Sequence, residues 1–190
     1  YYHVSGGCKM EKSLTLPQKN MYETQQFFDG TSMCNIGGLV IFKENSINIT
    51  TLEKAINKVI CNNDILRSKI IYNHHVPFQE YSDYTYEKIE FVTLTEKEYQ
   101  FVMETWTSEV FDITRKMYDF KIVKIDDRTS VYIKLHHIIC DAWGTLLLGQ
   151  KIVEYYYKLA YLLEVPKSEV PQYDVYMEKE KAYFGSKRYE

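Results

Sequence analysis

Apolar positions along this chain alternate with period two in some stretches and recur every three or four residues in others, and each switch marks an element. After a polar lead over residues 1–13, Leu14 and Leu16 run into Pro17, which suits a first helical position because its missing N–H costs nothing there. The spacing predicts a helix to about Phe28, stopped by Asp29 and Gly30. A strand follows over 36–42, whose paired glycines permit a bulge or a close backbone approach. Thr50 and Glu53 have capping-box spacing, and Leu52, Ile56, Val59 and Ile60 make one face of the helix they would open, ending near Asn62 and Asn63. Strands are predicted over 66–72 and 78–81 around a turn that holds His74, His75 and Pro77, with a further short strand over 89–92.

A second capping box, Thr95 to Glu98, opens a helix expected to carry Phe101, Val102, Thr105, Trp106 and Val110. Residues 117–125 and 130–136 read as a hairpin about the Asp126–Asp127 turn, the second strand alternating as a half-buried strand does. A long apolar helix is expected to reach Leu163, followed by a linker over 165–171 and a last helix from about Tyr173. No internal repeat or low-complexity segment interrupts this order. It is mixed α+β, with helices on a largely antiparallel sheet.

Candidate chemistry concentrates where the second hairpin meets the long helix. Leu135, His136, His137, Ile138, Ile139, Cys140, Asp141, Ala142, Trp143 and Gly144 place two adjacent histidines at a strand end, with an aspartate four positions after the second. Neutral imidazole accepts a proton near pH 7, and a nearby carboxylate can fix its geometry, so a general base is one reading and a packed strand-end histidine the other. Strand alternation turns His136 and His137 to opposite faces. Divergent side chains make a shared metal ion a poor fit, and no metal is expected. His74 and His75 repeat the doublet in a turn, without an acid in register, and read as solvent-exposed.

The His-His-x-x-x-Asp block resembles the signature of the condensation domains of nonribosomal peptide synthetases, which belong to the chloramphenicol-acetyltransferase-like acyltransferases. Three further stretches match that family in order. Leu14-Thr15-Leu16-Pro17-Gln18 with Met21-Tyr22 resembles its opening motif, Asn63-Asp64-Ile65-Leu66-Arg67-Ser68 its second, and Gln172 to Tyr176 the start of its fourth. The resemblance implies a two-layer α+β sandwich over 14–190, forming the N-terminal subdomain of a condensation domain about twice this length, with the second subdomain absent. It implies amide-bond formation between an acyl or peptidyl thioester and the amine of an aminoacyl thioester. No cofactor is bound directly; both substrates ride on the phosphopantetheine arms of donor and acceptor carrier proteins.

In that family the second histidine faces the reaction centre, so His137 is the candidate catalytic group, orienting or deprotonating the amine, with His136 structural. Asp141 is expected to hold the turn by pairing with an arginine, either Arg67 or one in the absent half. Trp143 and Gly144 fit the family's continuation, with Trp143 and Trp106 read as packing anchors. Ala142 departs from the usual glycine; its methyl group restricts positive φ and is expected to narrow a passage or alter the turn. Cys140 reads as a small packing residue. The isolated half is expected to be inactive, leaving an apolar face near His137 and Trp143 open to self-association. Within enzymes the alternative is an O-acyltransferase of the same superfamily; outside them, a non-catalytic carrier-protein-binding module.

Composition narrows the remaining partners. Hydrophobic residues make up 45% and charged residues 26%, ordinary for a globular chain. The net charge of −3 and the lack of any long block of like charge argue against nucleic acid and anionic membrane. No apolar run approaches the ~18 residues of a membrane span, and no secretory leader is seen. Four cysteines without metal spacing read as reduced thiols of a cytoplasmic protein. The 18 tyrosines are given no functional weight.

Overall fold

The computed structural model describes residues 12–44, 46–166 and 172–186. Most of the polar lead, with Cys8, and linker residues 167–171 lie outside the described residues. Within them the order is β1 (Lys12–Ser13), α1 (Leu16–Phe27), β2 (Asn35–Ile41), α2 (Ile49–Asn62), a 3-10 turn (Asp64–Arg67), β3 (Ser68–Asn73) and β4 (Val76–Tyr81). The chain continues through β5 (Glu90–Leu94), α3 (Glu96–Ser108), β6 (Tyr118–Ile125), β7 (Arg128–His136), α4 (Ala142–Ala160) and α5 (Tyr173–Phe184).

The α+β expectation holds, with two differences. The strands form two sheets, a four-stranded one ordered β2-β7-β6-β5 and a three-stranded one ordered β1-β4-β3. Lys12 and Ser13, assigned to the polar lead by pattern, pair with β4. The β5–β6 pair is parallel, because α3 carries the chain back across the sheet before β6 begins. All other pairings are antiparallel.

β7 is buried on both faces rather than one. Val131, Ile133 and Leu135 join the main core with Leu52, Ile56 and Ile60 of α2 and Ile152 of α4. Tyr132, on the opposite face, packs under α3 with Val123, Ile125 and Trp106. Trp106 is thus the packing anchor expected of it, its ring centre 5.2 Å from that of Tyr132. The rest of the α3 face differs from expectation: the buried side is built from Tyr99, Met103 and Trp106, and Phe101 is 74% exposed. Apolar residues at helical spacing occur on both sides of α3, and only the sheet beneath selects between them.

Helix starts follow local hydrogen bonding. Thr15 caps α1, Gln18 returning its side-chain oxygen to the Thr15 N–H at 3.0 Å, with Pro17 in the first turn. Glu98 accepts from both the N–H and the hydroxyl of Thr95 at the start of α3. The Thr50–Glu53 box does not form. Asn48 caps α2 instead, accepting from the Thr51 N–H at 2.9 Å. Glu53 is buried, taken up by Lys88 and the Tyr86 hydroxyl. His74 and His75 are exposed at the β3–β4 turn in left-handed backbone conformation, as a two-residue hairpin requires. α4 lies close on β2 because position 149 is glycine: a Cβ there would stand 2.8 Å from Val40 Cγ2.

Candidate active site at the end of β7

His136 is the last residue of β7, and its N–H donates to the Met117 carbonyl at 2.9 Å. Its side chain is 1% exposed and fully engaged. Nδ1 accepts from the Ile138 N–H at 3.1 Å, and Nε2 lies 3.0 Å from Oε1 of Gln25. The Gln25 amide nitrogen donates to the carbonyls of Phe28 and Thr31, so its oxygen is the atom turned to the ring. A backbone N–H cannot point at a second donor, so the proton of His136 sits on Nε2. Burial, helped by the neighbouring His137, lowers the His136 pKa from 6.5 to about 4 and keeps the ring neutral.

His137 begins a tight turn in which Ile139 N–H donates to the His136 carbonyl and His137 N–H to that of Cys34. Its side chain is half-buried and lines a cavity of about 680 Å³. Among the described residues no hydrogen bond engages its ring. The two histidines therefore differ as expected, one sealed at the end of β7 and one, in the turn beyond it, facing open space.

Asp141 does not hold His137, nor is it buried. It is the exposed N-cap of α4, accepting from the Gly144 N–H at 2.7 Å, while its carbonyl takes the Thr145 N–H and hydroxyl. The expected Asp141–Arg67 pair is absent among the described residues. Arg67 instead serves the end of α2, its Nη1 donating to the carbonyls of Ile60 and Cys61 at 2.7 Å each and its Nε to Ser82. The last turn of α2 has no basic residue of its own, so a guanidinium brought back from the following turn satisfies those carbonyls.

Gly144 is required by the cap: a Cβ there would meet Cys140 Sγ at 2.6 Å and Asp141 Oδ1 at 3.2 Å. Ala142 is the first residue of α4 and its φ is not positive, so the departure from glycine strains nothing. Its side chain is exposed. Cys140 lines the cavity and burial pushes its thiol up, away from the thiolate form. Trp143, expected to be packed, is 68% exposed among the described residues.

All four sequence segments line the one cavity: Pro17 and Gln18; Asn63, Ile65 and Leu66; His137 to Asp141 with Gly144; and Tyr173 with Tyr176. Direct bonds tie three of them together. The Tyr173 N–H donates to the Asp64 carboxylate at 3.1 Å, and the Tyr173 and Thr15 hydroxyls lie 3.3 Å apart. Gln18 also exchanges hydrogen bonds with Gln79, which is itself buried, beneath α1. Gln25 was missed by sequence reading; nothing near it in the chain marks a residue that serves a histidine 111 positions away. No cluster of three or more His, Cys, Asp or Glu side chains suited to a metal occurs among the described residues. No helix among them is long and apolar enough to cross a membrane.

Comparison with known proteins agrees with this arrangement. Residues 9–190 match the condensation domain family. A plipastatin synthase of Bacillus subtilis (strain 168) is 29% identical over 184 residues, covering 93% of this chain and 7% of that protein. Surfactin synthase subunit 1 of the same organism is 26% identical over 187 residues, covering 93% and 5%. The first condensation domain of the calcium-dependent antibiotic synthetase, in complex with a substrate analogue, superposes with a TM-score of 0.86 at 19% identity, over 95% of this chain and 46% of that structure. The starter condensation domain of rhizomide synthetase gives 0.80 at 18%, over 93% and 46%. The fold is thus the chloramphenicol-acetyltransferase-like one, and the chain spans under half of these solved domains and a small part of the curated synthases. With its fold, its four segments in order and a match over 182 of 190 residues (9 to 190 inclusive), the chain belongs to the condensation domain family of the nonribosomal peptide synthetases.

Proposed function

We propose that this chain supplies the histidine-bearing wall of an amide-forming condensation site. The observation that carries the reading is the convergence of four segments, from Pro17 to Tyr176, on one cavity with His137 in its wall. A donor acyl or peptidyl thioester and an acceptor aminoacyl thioester, each on a carrier protein's phosphopantetheine arm, would meet there. The acceptor amine attacks the thioester carbonyl, the carbon–sulfur bond breaks, and the amine proton passes to the sulfur, so that the amide forms and the donor carrier keeps a free phosphopantetheine thiol. His137, with a ring free to take up that proton or to orient the amine, fits either duty. His136 cannot share it, because both of its nitrogens are engaged in the fold. Most of the acceleration would come from holding two tethered reactants together, with acid–base assistance of ~10²–10⁴-fold.

The chain spans 46% of the antibiotic-synthetase condensation domain on which it superposes, so a second wall for the cavity is expected from the remainder of such a domain. The test is condensation between an acyl-loaded donor carrier and an aminoacyl-loaded acceptor carrier. His137→Ala in the complete domain should lower turnover by ~10²–10⁴-fold without changing thermal stability, since its ring forms no hydrogen bond among the described residues. The 190-residue chain alone should show no turnover. Wild-type rates in His137→Ala, or transfer to a hydroxyl rather than an amine acceptor, would overturn the reading.

A further inference from the structure

We infer that Gln25 is a positioning residue for His137, acting through the proton of His136. The inference rests on the proposed role of His137 and concerns how that side chain is presented. Gln25 is buried in the last turns of α1, and its amide spans two structures. On one side its NH₂ donates to the Phe28 and Thr31 carbonyls at 3.2 and 3.1 Å, which orients the amide. On the other its oxygen meets His136 Nε2 at 3.0 Å. With the proton thereby held on Nε2, Nδ1 keeps its lone pair, and that lone pair receives the Ile138 N–H at 3.1 Å.

This last bond, with Ile139 N–H to the His136 carbonyl, closes the turn on which His137 stands. Were the proton on Nδ1, two donors would face each other and the turn could not close as it does. Among the described residues the ring has no other hydrogen-bond partner: Phe111 presents an edge-on ring at 6.3 Å. The nearest cation on the same strand, Lys134, is committed to the Trp106 and Glu109 carbonyls and the Glu109 carboxylate. Gln25 is thus the one side chain that takes up the Nε2 proton, it stabilises the tautomer that the Ile138 N–H also requires, and through the turn it supports the aim of His137.

Two measurements test this. Nitrogen-15 spectra of the 190-residue chain should show His136 protonated on Nε2 and bare on Nδ1. Gln25→Met, of similar length but without the amide oxygen, should leave the Nε2 proton without its acceptor, so that the Nδ1-protonated tautomer gains population and the exchange protection of the Ile138 amide falls. In the complete condensation domain, Gln25→Met should lower kcat by about 10–100-fold, with KM for both loaded carriers unchanged. His136→Asn provides the control, because the Asn side-chain oxygen occupies the place of Nδ1 and accepts the Ile138 N–H without any choice of tautomer. In that background Gln25→Met should have little further effect on kcat. A wild-type His136 protonated on Nδ1, or an equal loss from Gln25→Met in both backgrounds, would refute the assignment. A wild-type domain that shows the Nε2 proton yet condenses no carrier pair would count against the condensation reading alone, since the spectra do not pass through the reaction.

Discussion

His136 gives the site a pH dependence of stability. Its pKa falls from 6.5 to about 4 on folding, chiefly because burial penalises the charged ring and secondarily because of His137. The unfolded chain therefore binds more protons between these values, so the contribution is complete above pH 6.5 and is lost as pH falls toward 4. That gap corresponds to about 3 kcal/mol. Urea unfolding at about pH 7 and about pH 4.5 should show the loss, and His136→Asn should flatten it. At Asp141 the expectation is smaller than a buried ion pair would give. Asp141→Ala removes an exposed N-cap and should cost about 1 kcal/mol, whereas breaking a buried pair would cost roughly 3–5. Arg67→Ala should cost more than Asp141→Ala, about 2–3 kcal/mol, because it strips charged hydrogen bonds from the end of α2. Thermal melts of the two variants, and near-additivity in the double variant, check that they act at separate places.

Among the elements, α2 shows how a local rule can point to the wrong residue. Asn48 and Thr50 are both good caps by type, and only Thr50 has a glutamate three positions later. The fold draws Glu53 toward Lys88 and Tyr86, which removes it from the cap and leaves Asn48 to close the helix. Asn48→Ala should therefore destabilise by about 1 kcal/mol, with Thr50→Ala near neutral in the same unfolding assay. A larger loss at Thr50 would show that the box forms in solution. α5 is joined to the body mostly by polar contacts: Asp64 receives the Tyr173 N–H, Lys12 pairs with Asp174, and Glu180 accepts from the Leu16 N–H. Met177 is its buried residue.

For the molecule as a whole, the proposed function leaves the cavity with one wall. Leu147 lines the cavity that holds His137, and Trp143 and Leu146 are exposed with it on the first turns of α4. Apolar groups gathered at a cavity mouth favour association over contact with water. The isolated chain should self-associate in sedimentation experiments, and Trp143→Lys with Leu146→Glu should shift it toward monomer without lowering Tm. Monomeric wild-type chain at all concentrations would show that this surface is not adhesive.

Much of this architecture is legible along the chain. Hydrophobic period placed α1, β2, α4 and both hairpins, and the His-His-x-x-x-Asp block with its three companions identified the family, because these signals are local. Strand alternation also anticipated that His136 and His137 would part, although β7 ends at His136 and the turn after it is what aims His137. What the sequence could not decide were choices among equally suitable partners. Arg67 is near enough in kind to pair with Asp141, yet the open carbonyls of α2 lie beside it and claim it. Phe101 and Met103 are both apolar, and only the position of the sheet tells which is covered. Gln25 carries no local signal, because its role exists only once α1 and the end of β7 are brought together. Period and motif depend on neighbours in sequence, whereas hydrogen-bond partners and buried faces depend on neighbours in space, and folding alone makes those.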